Sequence, residues 1–182
     1  LKLILKKSKK INYLVSQLLT LSRDYDKNFI LNKEIIDLDM LLENVIDEMK
    51  NKAEAKGIKI FFNKKQDVKI NADQILIATL LINIIDNSIK YNKKSGFIKI
   101  SLNRENEIVE ISIEDSGVGI AKEEIPKIFD RFYRVDKKIA NKSFGLGLSI
   151  VKWIVDSHQG SIIVTSKVGK GTKFIIRLPI NL

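Results

Sequence analysis

Four polar side chains stand out at helical spacing in a largely apolar stretch: Asn83, Asn87, Lys90 and Tyr91. In a helix, residues at i, i+4 and i+7 share one face. Two amides and an ammonium there are costly if buried unpaired. They belong either at an exposed rim or against a ligand. A magnesium–triphosphate would satisfy them, since amide oxygens suit a hard cation and lysine suits phosphate. Further on, Asp115-Ser-Gly-Val-Gly119 ends an apolar strand. A carboxylate there can accept from an adenine amine, and glycines such as Gly117 and Gly119 let a base approach the backbone. The same residues also make an ordinary strand-end turn. Gly145-Leu-Gly-Leu148 heads an apolar helix, giving either an N-terminus open to phosphate or a hinge. Between the last two stretches runs a polar segment with Phe129-Asp-Arg-Phe-Tyr-Arg134. Together these pieces point to a nucleotide pocket with a lid.

The elements that must position them are set by periodicity. Ile11, Leu14, Val15, Leu18, Leu21 and Tyr25 predict a one-sided N-terminal helix, with a polar linker at Asp24–Asn28. Such a stripe needs a partner, through self-association or docking on the domain C-terminal to it. Ile30–Leu38 predicts a strand, and Asp37 or Asp39 a cap for a helix that Gly57 ends. Ile58–Phe62 and Val68–Asn71 predict short strands, and Asp73 caps a long apolar helix through Tyr91. Gly96 opens a hairpin with its turn at Asn103–Glu107. Pro126 suits a first helical turn within Ala121–Phe144. Gly145–His158 is a helix, with His158 at an exposed end and Gly160 after it. Ser161–Thr165 and Thr172–Leu178 pair across Gly169-Lys-Gly171, and Pro179 stops the sheet. The mixture without strict alternation predicts an α+β class, with helices on one face of a mixed sheet.

Composition bounds the partners. An apolar share of 45% in 182 residues supports a packed core, and the absence of cysteine removes disulfides and thiolate metal sites. No run approaches the roughly 18–20 apolar residues that span a bilayer. The chain starts at Leu1, which predicts a piece of a longer protein with any membrane anchor upstream. The +10 charge comes from lysines spread along the chain, so no nucleic-acid partner is expected.

The order and spacing of the boxes resemble the ATP-binding domain of sensor histidine kinases of two-component systems, within the family that includes gyrase, the ninety-kilodalton heat-shock chaperone and MutL. The resemblance rests on Asn83-Ile-Ile-Asp-Asn87-Ser-Ile-Lys90-Tyr91, Asp115-Ser-Gly-Val-Gly119, Phe129-Asp-Arg-Phe132, Gly145-Leu-Gly-Leu148 and Gly169-Lys-Gly-Thr172. It covers about Ile30 to the C-terminus. Residues 1–28 resemble part of the second helix of the dimerisation and phosphoacceptor domain, with a linker, and 29–182 the catalytic domain. The implied fold is a two-layer α/β sandwich of the Bergerat type: a mixed, mostly antiparallel sheet with three main helices on one face, preceded by an N-terminal helix.

The resemblance implies roles. Asn87 would ligate Mg2+, Asn83 would support the phosphates, Lys90 would contact phosphate and Tyr91 would flank the ATP. Asp115 would recognise the adenine amine, with Gly117 and Gly119 beside the base and Thr172 completing the contact through water. Arg134 would reach the terminal phosphate. Gly145, Leu146, Gly147 and Leu148 would bind phosphate and let the lid bend, and Phe129 and Phe132 would pack the lid down. The catalytic set is Asn83, Lys90 and Arg134. ATPase relatives carry a glutamate in place of Asn83; an amide is no general base, which favours a protein-histidine kinase over a conformational ATPase. A basic binding module and an anti-sigma-type serine kinase are the other readings. The acceptor histidine would lie upstream, so the chain alone is not expected to autophosphorylate. Implied partners are a response-regulator receiver domain and a second copy through the dimerisation helices. The implied location is a cytoplasmic segment of a membrane-anchored protein. Where the family often has a glycine before Gly145, this chain has Lys142-Ser-Phe144.

Overall fold

The computed structural model describes residues 29–63, 68–135 and 144–181, together with Val15. Apart from Val15, the expected N-terminal helix and its linker therefore lie outside the described residues. Strand β1 (Glu34–Asp37) ends in the cap of helix α1 (Leu38–Glu54), where the Asp37 carboxylate accepts from Met40 N at 2.9 Å. Asp39, the other candidate cap, is fully buried instead. Its Oδ2 accepts from Val68 N at 2.8 Å and ties α1 to β3 (Lys69–Ala72). Beyond α1, Gly57 adopts φ +67, and the chain enters β2 (Lys59–Asn63). Asp73 caps α2 (Gln74–Lys90) by accepting from Leu76 N at 3.1 Å.

The main sheet has five strands in the order β2-β4-β5-β7-β6, with β4 Phe97–Glu105, β5 Ile108–Asp115, β6 Ser161–Lys167 and β7 Gly171–Pro179. Only β2 and β4 are parallel; the crossover between them carries α2, as a parallel pair requires. The β4–β5 turn is tighter than the expected Asn103–Glu107. Glu105 pairs with Ile108, and Asn106 takes φ +53, a left-handed value asparagine tolerates. Strands β1 and β3 form a separate two-stranded sheet, and β1 is shorter than the expected Ile30–Leu38. Only Ile36 of β1 is buried, whereas β3 buries Ile70 and Ala72, and the pair does not extend the main sheet.

Helices α1, α2 and α3 (Gly147–Ser157) cover one face, with α2 packed between the other two. Ile98, Ile100, Leu102, Val109, Ile111, Ile113, Phe174, Ile176 and Leu178 are buried beneath them. The alternate residues face outward, where Arg177 pairs with Glu110 at 2.9 Å. The expected α+β architecture is thus present: a mixed, mostly antiparallel sheet under three main helices.

His158 departs from its expected exposed position. It is fully buried at the C-cap of α3. Its Nε2 accepts from Asp73 N at 3.1 Å, and Nδ1 lies 2.8 Å from Ile154 O. Those partners require the neutral imidazole with its proton on Nδ1. Burial above all holds its pKa below the ordinary value of 6.5. The unfolded chain therefore takes up the proton first as pH falls. The stability from neutral His158 is complete above pH 6.5 and is lost as pH drops through the lower folded value. Urea melts of the wild type should lose stability across that acidic window more steeply than those of His158→Gln, whose amide can make both bonds without titrating. Equal pH slopes would refute this role.

Candidate functional site

The β5–β7 register sets Asp115 directly opposite Thr172, although 57 positions separate them in the chain. Asp115 is buried at the end of β5. Its Oδ1 accepts two backbone amides, from Gly117 at 2.8 Å and Thr172 at 3.2 Å. Among the described residues no backbone amide donates to Oδ2. Burial raises the Asp115 pKa above the usual carboxylate value, and the two amides act against that rise. A hydrogen bond from the Ser88 hydroxyl, outside ideal geometry, also favours the charged form. A Cβ on Gly117 would stand 2.7 Å from Asp115 Oδ1 and 2.5 Å from Tyr91 O. The glycine is there because the Tyr91 backbone and the Asp115 carboxylate crowd one point.

The Asp115 and Thr172 side chains form part of the wall of a cavity of about 230 Å³. Helix α2 contributes Asn87, Ser88 and Tyr91; the turn after β5 contributes Val118, Gly119 and Ile120. Ile128, Tyr133, Arg134 and Val135 close another side, and Gly145 and Leu148 lead into α3. The wall is largely apolar, with acceptors and amides concentrated on Asp115, Thr172 and Asn87. Phe132 N donates to Gly145 O at 2.9 Å, which ties residues 129–135 to the start of α3. The α2 end is held separately: Lys56 Nζ donates to the carbonyls of Ile89 and Lys90 at 2.9 and 2.7 Å.

The cavity thus gathers Asn87, Tyr91, Asp115, Gly119, Arg134, Gly145, Leu148 and Thr172 from the expected set. Asn83, Lys90, Gly117, Leu146 and Gly147 stand outside its lining. Asn83 is buried, donates to Thr79 O at 2.8 Å, and places Oδ1 where a Cβ on Gly147 would be only 2.7 Å away. Its position is the α2–α3 contact. Lys90 bonds the Tyr91 hydroxyl at 2.9 Å and lies 4.5 Å from that ring's centroid, next to the wall. Leu146 is a core residue at the α3 N-cap. Phe129 packs against the core as expected, but Phe132 does not; it is 64% exposed at φ +65. Lys137, Lys138 and Lys142 fall outside the described residues.

Ile120, Ile128, Val135 and Phe174 line the cavity from outside the boxes singled out in the sequence, and Ser88 and Tyr133 line it from within those boxes without an expected role. Ser88 adjoins Asn87 but is turned about a quarter of a helical circuit from it, off the i, i+4 face. Phe174 lies two residues after Thr172, so period-two alternation brings both to the same side of β7.

The sequence family described as histidine kinase-, DNA gyrase B-, and HSP90-like ATPase matches residues 72–182. Sensor protein SrrB of Staphylococcus aureus is 38% identical across 98% of this chain, which spans 31% of SrrB. Full-length ShkA in complex with AMPPNP superposes with a TM-score of 0.82 at 27% identity, covering 92% of this chain and 35% of that one. Histidine kinase ThkA, solved in complex with response regulator protein TrrA, gives 0.75 at 27%, covering 95% and 49%.

Proposed function

The chain belongs to the histidine kinase-, DNA gyrase B-, and HSP90-like ATPase family, and from that premise we propose that it is the ATP-binding kinase domain of a two-component sensor histidine kinase. The observation that carries this reading is the convergence of Asp115, Thr172, Asn87 and Arg134, distant in sequence, on one apolar-walled cavity. Asp115 Oδ2 accepts from the adenine amine, and the base lies between Tyr91 and the Gly119–Ile120 turn. Lys90 and Arg134 neutralise phosphate charge, and the backbone about Gly145 and Gly147 bends around it.

Among the described residues no group of three or more His, Cys, Asp or Glu could hold a metal. A divalent ion at this site would arrive with the nucleotide, with Asn87 supplying one amide oxygen. Magnesium would contribute charge neutralisation on the transferred phosphoryl. Asn83, an amide held against Gly147, offers no general base for water, so the γ-phosphoryl awaits a histidine. That histidine is not His158, whose ring is buried with both nitrogens engaged. The acceptor belongs to a dimerisation helix, and the ThkA–TrrA complex supports a receiver domain as the next carrier. Among the described residues no helix is long and apolar enough to cross a membrane. We place the domain on the cytoplasmic side of a membrane-anchored protein that is dimeric through its dimerisation helices.

Calorimetric titration tests the site. ATP should bind with magnesium and about tenfold more weakly without it, the worth of one good charge-assisted contact. Asn87→Ala should remove most of that difference. No ATP binding, or an unchanged magnesium dependence in the variant, would sink the assignment.

A further inference from the structure

Helix α2 presents its polar side chains from its last turn. Asn87 and Tyr91 line the cavity, and Lys90 stands next to it. The end of a helix is its loosest part, because the last four carbonyls have no donor within the helix and terminal turns fray. Here the Asn87 carbonyl is closed by Tyr91 N at 2.9 Å. The amide that would continue the ladder to Ile89 O belongs to Lys93, and it donates to Asn92 Oδ1 instead, at 3.0 Å.

The replacement donor comes from the end of α1. Lys56 Nζ donates to Ile89 O at 2.9 Å and to Lys90 O at 2.7 Å. Its own carbonyl accepts from Ser95 N at 3.3 Å, so the residue is pinned between α2 and the loop that follows it. A positive charge at a helix C-terminus also suits the helix dipole. Lys52, one turn earlier, pairs with Asp86 across the same contact. The two lysines differ in kind. Lys52 makes an ion pair open to solvent, which is worth little. Lys56 bonds the backbone that fixes where Asn87 and Lys90 point.

That backbone matters most at the metal end. Magnesium demands near-octahedral geometry, so a small displacement of an amide ligand is costly. Asp115 and Thr172 stand on paired strands and do not depend on this turn. Resting on the ATP reading above, we propose that Lys56 is a positioning residue of the kinase site. It touches neither nucleotide nor metal. By bonding the carbonyls of Ile89 and Lys90 it holds the last turn of α2 closed, and so sets Asn87 for the magnesium and Lys90 for the phosphates.

The test is Lys56→Met, which keeps the apolar stem and removes the donors. Lys56 is exposed, so the fold should survive. Amide exchange in the empty protein should show the Tyr91 N–H about tenfold less protected, the worth of a net hydrogen bond, while the Ile77 N–H at the start of α2 is unchanged. In calorimetric titrations the magnesium enhancement of ATP binding should fall from about tenfold to about threefold or less, with adenosine affinity unchanged. Lys56→Arg, whose guanidinium can reach both carbonyls, should restore both readouts. Lys52→Met removes the same charge from the same contact and should keep the full enhancement. An undiminished enhancement in Lys56→Met would overturn the proposal. So would a parallel loss of adenosine and ATP affinity, the mark of a residue that only stabilises the fold. An equal fall in Lys52→Met would overturn it too, by reducing the effect to bulk charge. A wild type that binds no ATP would instead overturn the ATP reading itself, and this inference with it.

Discussion

Asp115→Asn should weaken ATP binding by about 30–150-fold, from the loss of about 2–3 kcal/mol for a hydrogen bond to a charged acceptor. The backbone decides which way the new amide points. Oδ1 receives the N–H groups of Gly117 and Thr172 at 2.8 and 3.2 Å, so the asparagine oxygen must take that place. The NH2 then occupies the position of Oδ2, and faces the adenine amine donor to donor. A nucleotide with a carbonyl at C6 meets the opposite pairing. ITP, poorly bound by the wild type, should therefore bind the variant better while ATP binds worse. The fold should survive, because both backbone donors keep their acceptor and a carboxylate disfavoured by burial is removed. Titrations of both nucleotides into both proteins give the answer. A parallel loss for ATP and ITP would mean that Asp115 supports the pocket without reading the base.

Only part of this site is legible in the chain. The Asp115–Gly119 box announces a carboxylate beside a close approach, and the order of boxes places Thr172 with it. The two-amide clamp on Oδ1 depends on the β5–β7 register, which no local pattern encodes. Caps are readable because they are local: Asp37 and Asp73 bond three residues ahead. Asp39 is ambiguous in the sequence for the same reason, since its partner Val68 is 29 residues away. Helical spacing puts Asn83 and Asn87 on one face. It does not say that the first turn of that face is covered by α3 while the second opens to the cavity. His158 reads as an exposed end because glycine soon succeeds it; its partner there, the Asp73 amide, is 85 residues distant. Ser88 stands inside the Asn83–Tyr91 box but off its i, i+4 face, so helical spacing does not mark it.

The largest expected effect on folding is at Gly171. It sits at φ +104, and a Cβ there would come within 1.9 Å of Asp115 O and 2.8 Å of Asp115 C. Neither neighbour can retreat, since Asp115 ends a strand paired on both sides and Thr172 must keep its amide on Oδ1. Gly169, two residues earlier in the same turn, provides the control. It also has a positive φ, +78, but a Cβ there would meet nothing within 4 Å. Gly169→Ala therefore meets only the conformational penalty, about 1–2 kcal/mol. Gly171→Ala adds an overlap with rigid backbone to that strain, for a loss of about 3–5 kcal/mol. Urea midpoints of the two variants separate the terms. If both fall equally, conformation alone explains the glycines. If Gly171→Ala falls much further and Gly169→Ala retains ATP binding, the approach of β7 to Asp115 is what demands a residue without a side chain.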